Sequence, residues 1–369
     1  MSQGRSIGLA IVGCGKIGRI RAEFARKNAA IEWIGLCDID RKVGEKLTED
    51  IQADFFTQDY KELLSRSEVD AVVISTFASE RMGPVLASIE QGHSLFIEKP
   101  LATSPDESEK LVHAIEDASV DAVLGYSQRF RRRFMETKNR IASGQLGDVT
   151  SVVVRAFLNS FNPRVNSLKS EFPHRLTPMV ISGTHSMDLC QWFLSEKKPV
   201  EVYAKSNVGE LAEFGTKDST FSIVTYDDGS MLSMSVCWSL AKVWPGEVYT
   251  MDIGIVGTEG VLTIDDSHRD LVLATENPHP THRPGEGKNV SFLGSYPPGD
   301  YVFGQLWGPM REETKSWHDR ICLGEETPHT SVSEGHENLM LCLAMDLSAK
   351  IEEPVKLPVP VKELSKHLK

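Results

Sequence analysis

The chain has 369 residues, 40% hydrophobic and 25% charged, with a formal net charge of −12. That length exceeds what one hydrophobic core usually serves and suits two domains. The acidic balance sets aside nucleic acid and anionic membranes as partners, since both favour basic surfaces, and no apolar run approaches the roughly 18 residues of a membrane span.

The first 127 residues alternate short apolar runs with amphipathic stretches. Residues 7–12 form an apolar run ending at glycine, and 16–28 follow with Ile17, Ile20 and Phe24 on one helical face. Residues 31–37 are the next strand, closed by Asp38, and Val43, Leu47 and Ile51 mark a second helix. Strands are predicted over 71–76, 94–97 and 122–126, and a helix over 81–91. Ser104, Pro105 and Glu107 predict a capped helix start, with Ser104 as N-cap and Glu107 closing a capping box. Repeated β-α-β units with apolar strands predict an α/β, doubly wound parallel sheet of the dinucleotide-binding type over 1–127.

From Gln128 to Lys369 the pattern predicts an α+β domain on a large open mixed or antiparallel sheet, serving substrate binding and oligomerisation. The extreme C-terminus is a candidate to pack back on the first domain. Residues 148–158 read as one long strand. Asp227-Asp228-Gly229 joins the strands 221–226 and 231–238, and Gly257-Thr258-Glu259 joins 249–256 and 260–264. Helices are predicted over 184–194, 309–322 and 333–351. The Pro-, Gly- and His-rich stretch 265–309 reads as a long loop, a lid or an assembly arm.

Gly13-Cys14-Gly15-Lys16-Ile17-Gly18 is a GxGxxG loop directly between a strand and a helix. Gly13 permits the tight turn, Gly15 the approach of a pyrophosphate, and Gly18 close packing of helix on strand. The helix N-terminus beyond, with Lys16 and Ile17, offers unpaired N–H groups to phosphate. Asp38 follows the second strand 20 residues past Gly18, where an acid binds ribose hydroxyls. A carboxylate there repels a 2′-phosphate, so NAD is favoured over NADP. Arg41 is near enough to pair with Asp38 or to meet a phosphate.

Glu98-Lys99-Pro100 follows a strand, and in a doubly wound sheet ligands sit beyond the carboxyl ends of strands. Lys99 is thereby predicted at the cofactor crevice, in a turn fixed by the proline. His185 opens an apolar helix, as a core histidine or as a proton-transfer group. Asp188, one turn on, is a candidate to orient it. Arg129 and Arg131 to Arg133 form a basic run, read mainly as a solvated helix face. Arg164, Lys169, His174 and Arg175 precede the His185 helix and are candidate substrate contacts. His279, His282 and Arg283 lie in the long loop outside any convincing ligand set, so no catalytic metal is expected. Trp238, Trp244 and Trp307 read as core or subunit-contact residues. The six cysteines (Cys14, Cys37, Cys190, Cys237, Cys322 and Cys342) contain no Cys-x-x-Cys pair. With no leader evident before the first strand, they read as reduced, mostly buried thiols of a cytoplasmic protein.

These pieces in order resemble the glucose–fructose oxidoreductase, inositol dehydrogenase and rhizopine catabolism (Gfo/Idh/MocA) family. The matching elements are the 13–18 loop, Asp38, Glu98-Lys99-Pro100, Tyr126-Ser127-Gln128-Arg129-Phe130, Gly144-Gln145-Leu146-Gly147 and Gly183-Thr184-His185-Ser186-Met187-Asp188. The resemblance implies NAD(P)-dependent hydride transfer to or from a hydroxyl of a sugar, inositol or related polyol. It implies that Lys99 and His185 are the catalytic pair. Glu98, Thr76 and Gln128 would lie near the cofactor, with Gln128 also near the substrate. It further implies a homodimer or homotetramer. Two positions depart from the family pattern. Ile181 stands where inositol-type members carry Asp, four residues before the histidine. Phe77 and Arg81 replace a proline and a histidine after the fourth strand. A ketosugar reductase, a non-catalytic NAD-binding regulator and an NAD-assisted glycosidase are the competing readings, and Lys99 weighs against the last two.

Overall fold

A computed structural model of the chain describes residues 6–159, 173–240, 250–265, 271–280, 287–293 and 298–367. It divides into two compact units, residues 1–130 with 310–339, and 131–309 with 340–369. The returning segment is therefore 310–339 rather than the extreme C-terminus, and the first break falls after Phe130 rather than after 127.

In the first unit, apolar runs and amphipathic stretches become β1 (Ile7–Val12), α1 (Lys16–Arg26), β2 (Ile31–Cys37), α2 (Arg41–Ile51), β3 (Phe55–Thr57), α3 (Tyr60–Leu64), β4 (Ala71–Ile74), α4 (Met82–Glu90), β5 (Ser94–Glu98), α5 (Pro105–Ala118) and β6 (Ala122–Gly125). The six strands pair in parallel in the order β6-β5-β4-β1-β2-β3. Chain direction across the sheet reverses between β1 and β4, the switch point at which doubly wound sheets bind ligands. Both faces are buried, as a parallel sheet requires. Ala10, Val12, Val72, Ile74, Leu95 and Ile97 pack on one side. Leu9, Ile11, Ala71, Val73, Phe96 and Val123 pack on the other. Each such large aliphatic side chain contributes roughly 1.5–3 kcal/mol on burial.

Ser104 is the N-cap of α5, as its sequence predicts, but its side chain makes no capping hydrogen bond. In α1 the buried stripe is Gly18, Ile20, Arg21, Ala22 and Ala25. Ile17 and Phe24 are only half-buried, so the face is rotated from the predicted one and carries an arginine.

The second unit holds β7 (Val149–Asn159), β8 (Pro199–Asn207), β9 (Ser219–Tyr226), β10 (Met231–Leu240), β11 (Thr250–Gly257) and β12 (Val261–Ile264). They pair in the order β12-β11-β7-β10-β9-β8, antiparallel except for β7 with β10. One face buries Val152, Val154, Val202, Val224, Met234 and Ile253. The other leaves Val153, Phe221, Ile223 and Met231 about half exposed, at 48–57%. The helices of this unit include α6 (Arg132–Ala142) and α7 (Thr184–Phe193).

The stretch read as a long loop contains two antiparallel hairpins. One is β13 (Leu271–Pro280) with β14 (Gly287–Leu293), the other β15 (Asp300–Val302) with β16 (Gln305–Trp307). Pro278 and Pro280 are tolerated in β13 because a two-stranded ribbon leaves each strand an unpaired edge. Then α8 (Pro309–Leu323) and β17 (Thr330–Ser331) follow, and β17 adds an antiparallel edge beside β6. α9 (Val332–Ile351), β18 (Val355–Lys356) and α10 (Val361–His367) end the chain.

Candidate active site

The glycine loop closes on itself for steric reasons. Gly13 has φ of +97°, and a Cβ there would come 2.8 Å from the Ser75 carbonyl carbon. A Cβ on Gly18 would lie 1.8 Å from the Gly13 oxygen, so helix and strand approach at this spacing only with glycine. Gly15 differs: a Cβ there would meet nothing within 4 Å. It faces open space at the N-terminus of α1, beside exposed Lys16 and half-buried Ile17. That is the opening a pyrophosphate needs.

Asp38 follows β2 and braces this loop. Its Oδ2 accepts from the Cys14 N–H at 2.7 Å, and its Oδ1 from the Asp40 N–H at 2.8 Å. Each oxygen keeps acceptor capacity for a further donor. Arg41 is turned away, bonded to Glu45 at 3.1 Å and to Gln58 at 3.1 Å. Cys14 and Cys37 flank the loop as buried thiols, both pushed up to about 12 by burial and by the Asp38 charge. They are inert as nucleophiles at neutral pH.

Thr76 follows β4, and its Oγ1 is buried without a hydrogen-bond partner. A buried hydroxyl left so costs free energy, which makes it a candidate ligand contact at the switch point. Gln128 is buried at 3% exposure in a short 3₁₀ turn, Ser127–Phe130, just past β6.

Glu98 is the last residue of β5, and its carboxylate is fixed from behind. Arg21 of α1 donates to Glu98 Oε1 from Nη2 at 2.8 Å and from Nε at 3.2 Å. The same guanidinium reaches Glu313 of α8 at 2.5 Å and stands 4.2 Å over the Phe96 ring. Burial opposes charge on Arg21, but the two carboxylates outweigh it and raise its pKa. α1, the strand that leads into Lys99 and α8 thus share one buried ion cluster.

Lys99 is half-buried and joined to Pro100 by a cis peptide. Burial pulls its ammonium down to about 8; the Glu98 charge opposes this and the Arg81 charge adds to it. Arg81, at the mouth of α4, is buried at 5% exposure.

In the second unit, α7 is preceded by a π-helical turn, Met179–Gly183, a wide turn often found at functional sites. Its Ser182 hydroxyl accepts from buried Trp238 Nε1 at 2.8 Å, which anchors the turn to β10. Ile181 lies in the turn and His185 in the first turn of α7, both half-buried. Asp188 is fully buried on the same helix, and its charge helps raise the Cys190 thiol, which burial already pushes up. His174 is exposed and Arg175 half-buried, in a 3₁₀ turn. Arg164, Lys169, Trp244, His282 and Arg283, and the side chain of His279, lie outside the described residues. Trp307 is 48% exposed.

The basic run is not a solvated face. Arg129 and Arg131 are buried, Arg129 is 3.2 Å from Glu334, and only Arg132 is exposed. Sequence reasoning also missed Arg21, Glu313 and the burial of Arg81. The one signal for Arg21 was a charge on a stripe of small apolar residues.

Two family models match the chain. One, described as an oxidoreductase family with an NAD-binding Rossmann fold, covers residues 7–126. The other, the GFO/IDH/MocA C-terminal domain, covers 134–263. Myo-inositol 2-dehydrogenase of Thermotoga maritima is 22% identical over 95% of this chain and 98% of its own. A 2,7-anhydro-N-acetylneuraminate hydratase of Mediterraneibacter gnavus is 25% identical over 71% of this chain and 68% of its own. Scyllo-inositol dehydrogenase of Lactobacillus casei, solved with NAD(H) and scyllo-inositol, shares the fold at a TM-score of 0.75 and 17% identity. That alignment covers 95% of this chain and 99% of the other. With the glycine loop, the Glu98-Lys99-Pro100 turn and both models in register along it, the chain belongs to the Gfo/Idh/MocA family of oxidoreductases.

Proposed function

We propose that this protein is a nicotinamide-dependent dehydrogenase acting on a CH–OH group of a sugar, inositol or related polyol, with NAD favoured over NADP. The observation that carries the reading is Lys99. It follows the carboxyl end of β5, beside a carboxylate anchored by Arg21, with a pKa of about 8. An amine so tuned holds a proton at one end of the working pH range and releases it at the other.

A bound nicotinamide would supply the hydride acceptor or donor for the carbinol carbon. The chain's residues bind, orient and move the proton. Gly13, Gly15, Lys16, Ile17 and Gly18 hold the pyrophosphate, and the open space at Gly15 fits that group. Asp38 accepts from the ribose hydroxyls, and Thr76 Oγ1, buried without a partner, fits a polar cofactor atom. Glu98 and Gln128 border the cofactor. Lys99 donates to the reacting oxygen. His185 accepts or relays the proton, with an intrinsic pKa suited to neutral pH. Gln128, His174 and Arg175 are proposed substrate contacts. The inositol dehydrogenases among the relatives support the polyol class. The apolar face of the second sheet supports a homodimer or homotetramer, and the free cysteines fit a cytoplasmic protein.

The hydratase relative favours a second reading, net addition of water, which leaves no accumulated reduced cofactor. The test is absorbance of reduced cofactor with NAD or NADP against a panel of inositols, sugars and sugar acids, with Lys99→Met and His185→Ala alongside. Turnover that Lys99→Met abolishes, and that His185→Ala lowers, supports the dehydrogenase. Consumption of substrate with no reduced cofactor favours the hydratase. An unchanged kcat and KM in His185→Ala removes the proton relay.

A further inference from the structure

Arg81 is a cation buried without a carboxylate. Its Nε and Nη2 donate to the Thr76 carbonyl at 3.2 and 3.0 Å, and its Nη1 donates to the Pro100 carbonyl. Among the described residues no carboxylate lies within ion-pair distance of it. A guanidinium solvated only by backbone carbonyls carries a desolvation cost that an ion pair would reduce, and burial pulls its own pKa down to about 10.

The two carbonyls explain the placement. Thr76 follows β4 and Pro100 follows β5, so one planar fork bridges the ends of two adjacent strands. Pro100 is joined directly to Lys99, so the bridge grips the turn that carries Lys99. The charged and titratable groups that bear on this pair are Glu98 at the end of β5, which attracts both cations, and the Tyr126 phenol beyond β6, which bears on Arg81. Glu98 is itself shared with Arg21, so it neutralises Arg81 only in part.

We propose that Arg81 is a positioning residue for Lys99: its guanidinium ties the loop after β4 to the turn after β5, fixing where the ammonium is presented, and its charge repels the lysine's. This rests on the assignment of Lys99 as the proton-handling group. Lysine at position 81 would keep the charge but lacks the planar fork that bridges two carbonyls. Glutamine would remove the charge.

The experiment is the pH dependence of Lys99 acetylation by acetic anhydride, read by peptide mass spectrometry on the full chain, with no substrate needed. The parent midpoint is expected near 8. Arg81→Gln is expected to raise it by about half a unit or more, because a like charge is gone. Arg81→Lys is expected to keep the midpoint within about 0.3 unit, while kcat falls about tenfold or more as the bridge is lost. An unmoved midpoint in folded Arg81→Gln overturns the proposal, and so does an Arg81→Lys midpoint that moves upward by as much. If Arg81→Gln does not fold, Arg81→Lys decides: a parent-like midpoint with lowered kcat supports the proposal, and a parent-like kcat overturns it. The labelling reads Lys99 directly. The expected shifts in a chain with no redox turnover would therefore count against the dehydrogenase assignment alone and still support the hold of Arg81 on Lys99.

Discussion

Replacing Lys99 with methionine is expected to abolish turnover and, at neutral pH, to stabilise the fold. The ammonium pKa falls from 10.5 in the unfolded chain to about 8 in the folded one, chiefly by burial. At about 1.36 kcal/mol per unit, holding that charge in the folded state costs about 3 kcal/mol. The folded pKa is the lower one, so the unfolded chain binds the proton more tightly. The cost is therefore fully present below pH 8 and is relieved as pH rises from about 8 to 10.5. Methionine has similar length and no charge, so Lys99→Met escapes the cost at all pH values. Urea unfolding of parent and variant, followed by circular dichroism, measures it. Lys99→Met is expected to gain up to about 3 kcal/mol at pH 7 and much less at pH 10.5, while kcat drops by about 10²–10⁴. A variant no more stable than the parent at pH 7, or a difference that does not change with pH, would refute the claim that Lys99 is held there at a cost.

Gly15→Ala adds a methyl group to open space in an allowed conformation, φ −64° and ψ −169°. Stability should stay within about 1 kcal/mol while the NAD Kd rises about tenfold or more; Gly18→Ala, 1.8 Å from the Gly13 oxygen, should instead lose about 1–3 kcal/mol in thermal unfolding. Arg21→Met leaves Glu98 and Glu313 buried without their shared cation, and should cost about 3–5 kcal/mol by denaturant titration. A cost under about 1 kcal/mol would show the cluster to be solvated. Asp38→Ser removes the carboxylate that opposes a 2′-phosphate, so the preference for NAD over NADP, read as a ratio of Kd values by calorimetry, should fall about tenfold or more.

Most of the parallel sheet was legible because β1, β2, β5 and β6 are apolar runs closing on a glycine, an acid or the Glu-Lys-Pro turn and β4 is a β-branched run; the three-residue, part-buried β3 (Phe55–Thr57) was not. Burial on both faces leaves no other use for such runs. The glycine loop was legible for the same reason, since its spacing matters only between a strand and a helix. Pairing at long sequence distance was not legible: Thr330 meets Leu124 across more than two hundred residues, and nothing local in either segment records it. The two hairpins after Asp265 were hidden by proline and glycine, which mark loops in a broad sheet but fit the edges of two-stranded ribbons. The π turn before His185 was hidden because one wide turn leaves the apolar spacing of a helix almost unchanged. Arg21, Arg81 and Arg129 were the sharpest misses. Sequence treats an arginine as surface by default, and its burial depends on acceptors brought in from elsewhere: Glu98 and Glu313, the Thr76 and Pro100 carbonyls, and Glu334.

The central claim is that a hydride passes between a polyol carbon and nicotinamide in this protein. The most direct measurement uses the polyol that turns over, deuterated at the carbinol carbon, with mass spectrometry of the recovered cofactor. One deuterium on the reduced nicotinamide in the parent, and none with Lys99→Met, is the expected result. Consumption of the polyol with no deuterium on the cofactor would contradict it.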